Sequence, residues 1–297
     1  MTLKDRALGA YLGLAVGDAL GATTEFMTPR EIQQQYGTHD AIRGGGWLKL
    51  KAGEVTDDTE MSLALGDAII AKGGVEAMAA AEAFSNWMRG KPVDIGNTVR
   101  RGIIHYRSTG ESAVAVNEYD AGNGACMRSL PIALFCCYTP EDEMCRVSRL
   151  QAHTTHNNPV SDAGTETVLR MLTRLLKGAE KDALITLAEQ LVTEFPQYRF
   201  DKKRATNPSG YIVHTLQVVF QAFFAHNDFE SILIDVVNRG GDADTTGAIA
   251  GMLAGACYGL HSIPLQWRGK LNPKVKTTCI QQTHDLLELA QTRSGTA

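Results

Sequence analysis

The sequence predicts an all-α protein. Apolar residues recur at helical spacing through most of its 297 residues, and few segments alternate with period two. Helices are expected near 3–20, 57–71, 75–89, 96–107, 124–137, 141–152, 161–177, 180–194, 209–226, 229–238, 243–259 and 276–292. In the first, Gly9, Gly13, Gly17 and Gly21 recur every fourth residue, stripping one ridge of its side chains. Residues 22–55 show no clear period and include Gly44-Gly45-Gly46-Trp47, so they read as a long loop, a candidate lid. The helix at 57–71 has Thr56 as its N-cap, carboxylates in its first turn, and then Met61, Leu63, Ala64, Leu65, Ala68 and Ile69. Helical spacing alone carries 75–89. Asp94 precedes the next helix, 96–107, whose basic residues include Arg100 and Arg101. The turn Gly122-Asn123-Gly124 opens 124–137, and Asn157-Asn158-Pro159 separates 141–152 from 161–177. Helical period then carries 180–194, 209–226 and 229–238. The turn pair Gly240-Gly241 introduces 243–259, where Gly247, Gly251, Gly255 and Gly259 repeat the four-residue spacing. The last helix, 276–292, is read as exposed; its His284-Asp285 lacks the distant His partners that a metal phosphohydrolase needs.

Each interior Gly costs about 1 kcal/mol relative to Ala, so eight of them demand a reason such as very close backbone packing. Either the two ridged helices pack on each other, bringing Asp18 near Asp242 and Asp244 or their supporting shell, or each is buried independently. No Pro/Ser-rich linker divides the chain, and one domain over 1–297 is expected. With 29 Lys plus Arg against 33 Asp plus Glu and no long basic run, nucleic acid is not an expected partner. Six cysteines without CxxC spacing, and an N-terminus without a signal-peptide pattern, predict a reducing cytoplasm. The longest apolar stretches, 7–22 and 247–260, are shorter than the roughly 20 residues a spanning helix needs.

Two clusters carry the chemistry. Thr56-Asp57-Asp58-Thr59 and Asp242-Ala243-Asp244-Thr245 each open a helix, and each offers two carboxylates with adjacent hydroxyls. Hard divalent cations prefer such oxygen donors, and the absence of Cys and His argues against zinc. Acidic residues at a helix start are also favourable without a metal, because they face the positive end of the helix dipole. If the two starts meet, however, four carboxylates repel and raise one another's pKa, and a metal centre becomes the better explanation.

GAYLGLAVGDALGATTEF at 9–26, TDDTEM at 56–61, KPVDIGNT at 91–98, EYDAGNGA at 118–125, THNNPVSDA at 155–163 and GGDADTTGAIAG at 240–251 occur in the order found in ADP-ribosylglycohydrolases. The chain resembles that family over essentially its whole length, and within it the nitrogenase-regulating branch. The resemblance implies an all-α fold, two divalent ions (Mn²⁺ foremost, Mg²⁺ as the alternative), and hydrolysis of the N-glycosidic link between ADP-ribose and a modified side chain. It implies Thr56, Asp57, Asp58, Asp242, Asp244 and Thr245 as metal ligands. Asp94, which alone would read as a helix N-cap, becomes the carboxylate facing the guanidinium of ADP-ribosylarginine and acting in acid/base steps. Glu25 matches an acidic position at the mouth of the metal site, with a role in orienting water or gating; a solvated loop glutamate is its plain alternative. Glu118, Asp120, Gly122, Asn123 and Gly124 match a loop approaching ADP-ribose, where glycines would admit backbone N–H groups to a phosphate or ribose. His156 matches a histidine near the ribose and ranks above His153, whereas Asn158 stands where relatives often carry a second His. Tyr211 is a weaker candidate at the substrate rim.

By the same resemblance the substrate is the ADP-ribosylated iron protein of nitrogenase. A PII-type signalling protein and an ammonium transporter are implied as regulators that would hold the enzyme at the inner membrane. The rival readings are a hydrolase of another ADP-ribosyl linkage and a catalytically silent ADP-ribose-binding protein.

Overall fold

The computed structural model describes residues 1–295, which form fifteen α-helices and no strand. They are α1 (Leu3–Gly21), α2 (Pro29–Tyr36), α3 (Asp57–Lys72), α4 (Ala77–Arg89), α5 (Asn97–Thr109), α6 (Gly124–Met127), α7 (Leu130–Phe135), α8 (Glu141–Ala152), α9 (Pro159–Leu176), α10 (Ile185–Glu194), α11 (Ile212–Ala225), α12 (Phe229–Val237), α13 (Ala243–Tyr258), α14 (Leu265–Lys270) and α15 (Pro273–Ser294). Short 3₁₀ turns at Lys181–Leu184, Pro196–Tyr198 and Leu260–Ser262 complete the helical content.

The two glycine ridges pack against each other at the centre of the molecule. Gly9 faces Gly255, Gly13 faces Gly251, and Gly17 faces Gly247, so α1 and α13 run antiparallel. A Cβ on any of these six would lie under 3.0 Å from the carbonyl oxygen of its partner. Gly21 meets the carbonyl of Ala243 in the same way. The cost in helix propensity is offset by backbone contact that no residue with a side chain could reach. A consequence for function is that the C-terminal end of α1 and the N-terminal end of α13 lie side by side. Around this pair α9, α11 and α12 pack on α13, while α15 ties α1 to α3. Gln282 of α15 accepts from Tyr11 Oη (2.6 Å) and donates to Leu63 O (2.8 Å).

Three expected elements differ. The stretch 124–137 is two short helices, because Arg128 and Ser129 interrupt it and Pro131 starts the second anew. The long loop 22–55 contains α2, closed by a capping box in which Thr28 and Glu31 bond reciprocally behind Pro29. Residues 265–270 form α14, and α15 begins at Pro273 with Asn272 as its cap. Asn158 is the N-cap of α9, its side chain accepting from Val160 N and Ser161 N. That role suits an amide and does not require an imidazole.

Candidate metal centre

Asp57 and Asp58 begin α3, but the N-cap Thr56 makes no side-chain capping bond. The cap comes from α1. Asp18 accepts from Thr56 N (3.0 Å), Thr56 Oγ1 (3.0 Å), Thr59 N (3.1 Å) and the Thr59 hydroxyl. The expectation placed Asp18 near Asp242 and Asp244 or in their supporting shell; it supports the site from beneath, with its direct hydrogen bonds going to the first cluster because α1 ends against the start of α3. Burial still pushes the Asp18 carboxyl up to about 7, the four hydrogen-bonding groups only moderating it.

On the other side, Gly240 and Gly241 turn the chain with φ of +68° and +67°, and Asp242 N donates to Pro208 O (2.8 Å). Asp242 Oδ2 accepts from Asn123 Nδ2 (2.5 Å), which also donates to Thr215 Oγ1 (2.8 Å). Asp244 Oδ1 accepts from Thr245 N (2.9 Å). The clusters join at Asp58, whose Oδ2 lies 3.1 Å from Thr56 Oγ1 and 3.2 Å from Thr245 Oγ1. Its Oδ1 is buried and has no hydrogen-bond partner. Oxygens of Glu25, Asp242 and Asp244 lie within 4.8 Å of one another.

Such a gathering costs free energy unless positive charge or protons neutralise it. Burial first, and then the mutual repulsion of these carboxylates, holds Asp57, Asp58 and Asp244 well above the usual range. Burial also raises Asp242, and together with the neighbouring aspartates it brings Glu25 to about 8. The donors are all oxygens, and one of them is an orphaned buried acceptor. That set fits hard divalent cations.

A cavity of about 540 Å³ opens over the cluster, lined by Glu25, Asp57, Asp242, Asp244 and Thr245, with Asp94, Gly122, Asn123, Gly124, His156 and Tyr211 in its walls. Thr56 and Asp58 are fully buried and line no part of it. Asp94 is not a helix cap, since Gly96 occupies the N-cap of α5 and donates its N–H to Asp57 Oδ2 (3.4 Å). Asp94 faces the cavity half-buried, accepting only from Ile95 N (2.8 Å), and burial raises its pKa. Two expected residues lie apart. Asp120 pairs with Arg101 and lines a neighbouring cavity of about 360 Å³, while the Glu118 side chain is exposed. Gly122 and Gly124 serve a steric purpose, because a Cβ on either would press on the His156 ring.

Three aromatics at the cavity mouth escaped the sequence reading of the site: Phe26, Trp47 and Tyr119, exposed by 64%, 51% and 83%. Trp47 packs on Phe26 (ring centroids 5.2 Å apart) and donates from Nε1 to Glu25 Oε2 (2.6 Å). Phe26 holds φ at +61°, a conformation rare for an aromatic, secured by its N–H to Gly241 O (2.7 Å). The unperiodic stretch 22–55 thus does reach the site, through Glu25, Phe26 and Trp47.

The family model for ADP-ribosylglycohydrolases matches residues 1–296. The chain belongs to the ADP-ribosylglycohydrolase family. The chain is 50% identical to the ADP-ribosyl-(dinitrogen reductase) glycohydrolase of Rhodospirillum rubrum, over 97% of this chain and 98% of that protein. It is 33% identical to an ADP-ribosylarginine hydrolase of Pseudomonas putida, over 90% of this chain and 74% of that protein. A solved structure described as an ADP-ribosylglycohydrolase-related protein complex superposes with a TM-score of 0.86 at 34% identity, covering 97% of this chain and 99% of that one. The membership read from the six motifs is borne out, and so is the all-α fold. No helix among the described residues is long and apolar enough to cross a membrane.

Proposed function

We propose that this chain, acting as one domain, removes ADP-ribose from an arginine of a modified protein, and that the substrate is the iron protein of nitrogenase. The observation that carries the reading is the junction of both acid-threonine clusters at Asp58 beneath a cavity that Asp94 also faces. The similarity to the Rhodospirillum rubrum protein supports the choice of target.

In this reading Thr56, Asp57, Asp58, Asp242, Asp244 and Thr245 hold two divalent ions, Mn²⁺ or Mg²⁺, with Glu25 close enough to share a ligand position. When bound, the ions supply charge neutralisation for the carboxylates and a site of lowered pKa for water. Asp94 pairs with the substrate guanidinium and orients it. Hydrolysis adds the oxygen of water to the anomeric carbon of the ribose and breaks its bond to the guanidine nitrogen, which takes up a proton. Asp94, ionised while it pairs with the guanidinium, can take the proton that the attacking water releases and pass it to that nitrogen. His156, Gly122, Asn123, Gly124 and Tyr211 contact the ADP-ribosyl group.

Release of ADP-ribose from arginine-ADP-ribosylated iron protein tests this, with Mn²⁺ or EDTA, in the wild type, Asp94→Asn and Asp244→Asn. Release that needs metal and is lost in both folded variants is the expected result. A folded, metal-loaded wild type that releases nothing moves the protein to another linkage or to binding alone. The proposal extends to a cytoplasmic setting and to capture at the inner membrane by a PII-type protein and an ammonium transporter. It rests there on family similarity alone. Pull-down with and without ADP or ATP tests this, and a lack of any nucleotide-dependent partner counts against it.

A further inference from the structure

Arg128, in the break between α6 and α7, is fully buried. Its Nε donates to Gln151 Oε1 (2.7 Å), and its Nη2 donates to Gln151 O and to Thr155 Oγ1 (both 2.9 Å). A guanidinium has no acceptor, so Thr155 Oγ1 must accept. The Thr155 hydroxyl is itself buried, and its hydrogen needs an acceptor. The acceptor in reach is His156 Nδ1, at 2.7 Å. With Nδ1 accepting, the ring proton of a neutral imidazole sits on Nε2.

That nitrogen has no hydrogen-bond partner among the described residues, although His156 is only 2% exposed, and the ring lines the cavity. A Cβ on Gly122 would stand 2.8 Å from Nε2, so the bare backbone there keeps this edge of the ring uncovered. Burial, with the charges of Arg128 and Arg101, lowers the His156 pKa to about 3. The ring is therefore neutral at working pH, and its tautomer decides whether it presents a donor or an acceptor.

We propose that Thr155, oriented by Arg128, is a positioning residue that fixes His156 as its Nε2–H tautomer, so that the ring donates a hydrogen bond to an oxygen of the ADP-ribosyl group. The ligand assignment rests on the function proposed above, whereas the tautomer does not.

Thr155→Val keeps the side-chain shape and removes the hydroxyl. Nitrogen NMR of ¹⁵N-His protein reads the ring directly, the His156 signals being those absent from His156→Gln. The wild type should show a pyrrole-like Nε2 and a pyridine-like Nδ1. In Thr155→Val this pattern should give way to a mixture, with KM for the modified protein about tenfold higher and kcat little changed, the size expected for one hydrogen bond. Thr155→Ser should restore both. A pyrrole-like Nδ1 in the wild type overturns the proposal, as does a Thr155→Val protein with unchanged spectrum and KM. Failure of the hydrolase reading would appear differently, as absent turnover with the wild-type spectrum intact.

Discussion

The two acid-threonine clusters share a sequence pattern and a place at a helix start, yet they are supported in opposite ways. The first is a foundation: Thr56 and Thr59 spend their backbone and hydroxyl donors on Asp18, and Asp58 is sealed below the cavity. The second lines the cavity, as Asp57 of the first also does, and is steadied by Asn123 and by the Gly240-Gly241 turn, while Glu25 crowds it with a further carboxylate. Identical local chemistry thus serves two purposes, because α1 delivers a buried carboxylate to one helix start and not to the other. Damage to the Asp18 support beneath the first cluster should register first as lost stability, and damage at the flanks of the second as weakened metal binding and activity.

The largest effect should come from Gly251→Leu, which attacks what both clusters depend on. Its side chain would enter the backbone of Gly13, separating the helix that carries Asp18 from the helix that carries Asp242 and Asp244. Overpacking against backbone costs upwards of about 3 kcal/mol, and an insoluble or non-cooperatively unfolding protein is expected. A soluble variant that still binds its full complement of Mn²⁺ would remove the central role given to the α1–α13 contact.

Next in size is the contrast between Asp18→Asn and Glu25→Gln, both made with Mn²⁺ present so that the carboxylates are ionised. Asn has one acceptor oxygen where Asp18 serves four donors, and the loss of charge-assisted bonds in a buried site should cost about 2–3 kcal/mol. Glu25→Gln should leave Tm of the metal-free protein nearly unchanged and lower Tm with Mn²⁺ only as far as its weakened Mn²⁺ binding requires, with turnover reduced. Calorimetry and Mn²⁺ titration of the pair would decide it; the reverse pattern would mean that the foundation lies on the α13 side.

A pH scan of the metal-free protein sharpens the comparison further. Asp18 is raised to about 7 and Glu25 to about 8, so the folded state holds protons that the unfolded chain has released. Where the folded state binds more protons, stability falls as pH rises, and for these groups it falls through the window up to about pH 8. His156 acts in the other direction, its folded pKa of about 3 making acid destabilising, but only below its ordinary value near 6.5. Between pH 6.5 and 8 the carboxylates therefore act alone, and Tm of metal-free protein should drop, with Mn²⁺ restoring most at the upper end. A Tm that is flat across this window would mean the carboxylates are not crowded in solution.

How far this architecture could be read in the sequence depended on whether a signal was local. The glycine ridges, the acidic helix starts and the turn before Asp242 are properties of short windows, and each was legible. The capping box Thr28-Pro29-Arg30-Glu31 is equally local, but the helix it opens has only eight residues and one buried position, too few to raise a period above the surrounding loop. Asp18 as a cap for α3, Asn123 on Asp242 and Arg128 behind Thr155 join residues 38, 119 and 27 positions apart, and no periodicity encodes such pairs. The family motifs were most useful at Asp94, where local reading favoured a helix cap and the folded chain turns the carboxylate to the cavity.

The smallest expected effect probes the edge of the second cluster. Trp47 touches the site through one hydrogen bond, from its indole to Glu25, and its ring otherwise rests on Phe26 at the surface. Trp47→Phe keeps an aromatic face and deletes only the donor. Without it Glu25 loses a fixed orientation beside Asp242 and Asp244, while Asp18, Thr56 and Asp58 keep every partner they have. A single charge-assisted bond in a half-exposed position is worth about 1 kcal/mol. Mn²⁺ affinity should therefore fall severalfold, with Tm of the metal-free protein lowered by no more than about 3 °C. If Tm falls further and Mn²⁺ affinity stands, the 22–55 segment is structural support, and the flank of the second cluster does not reach as far as the indole.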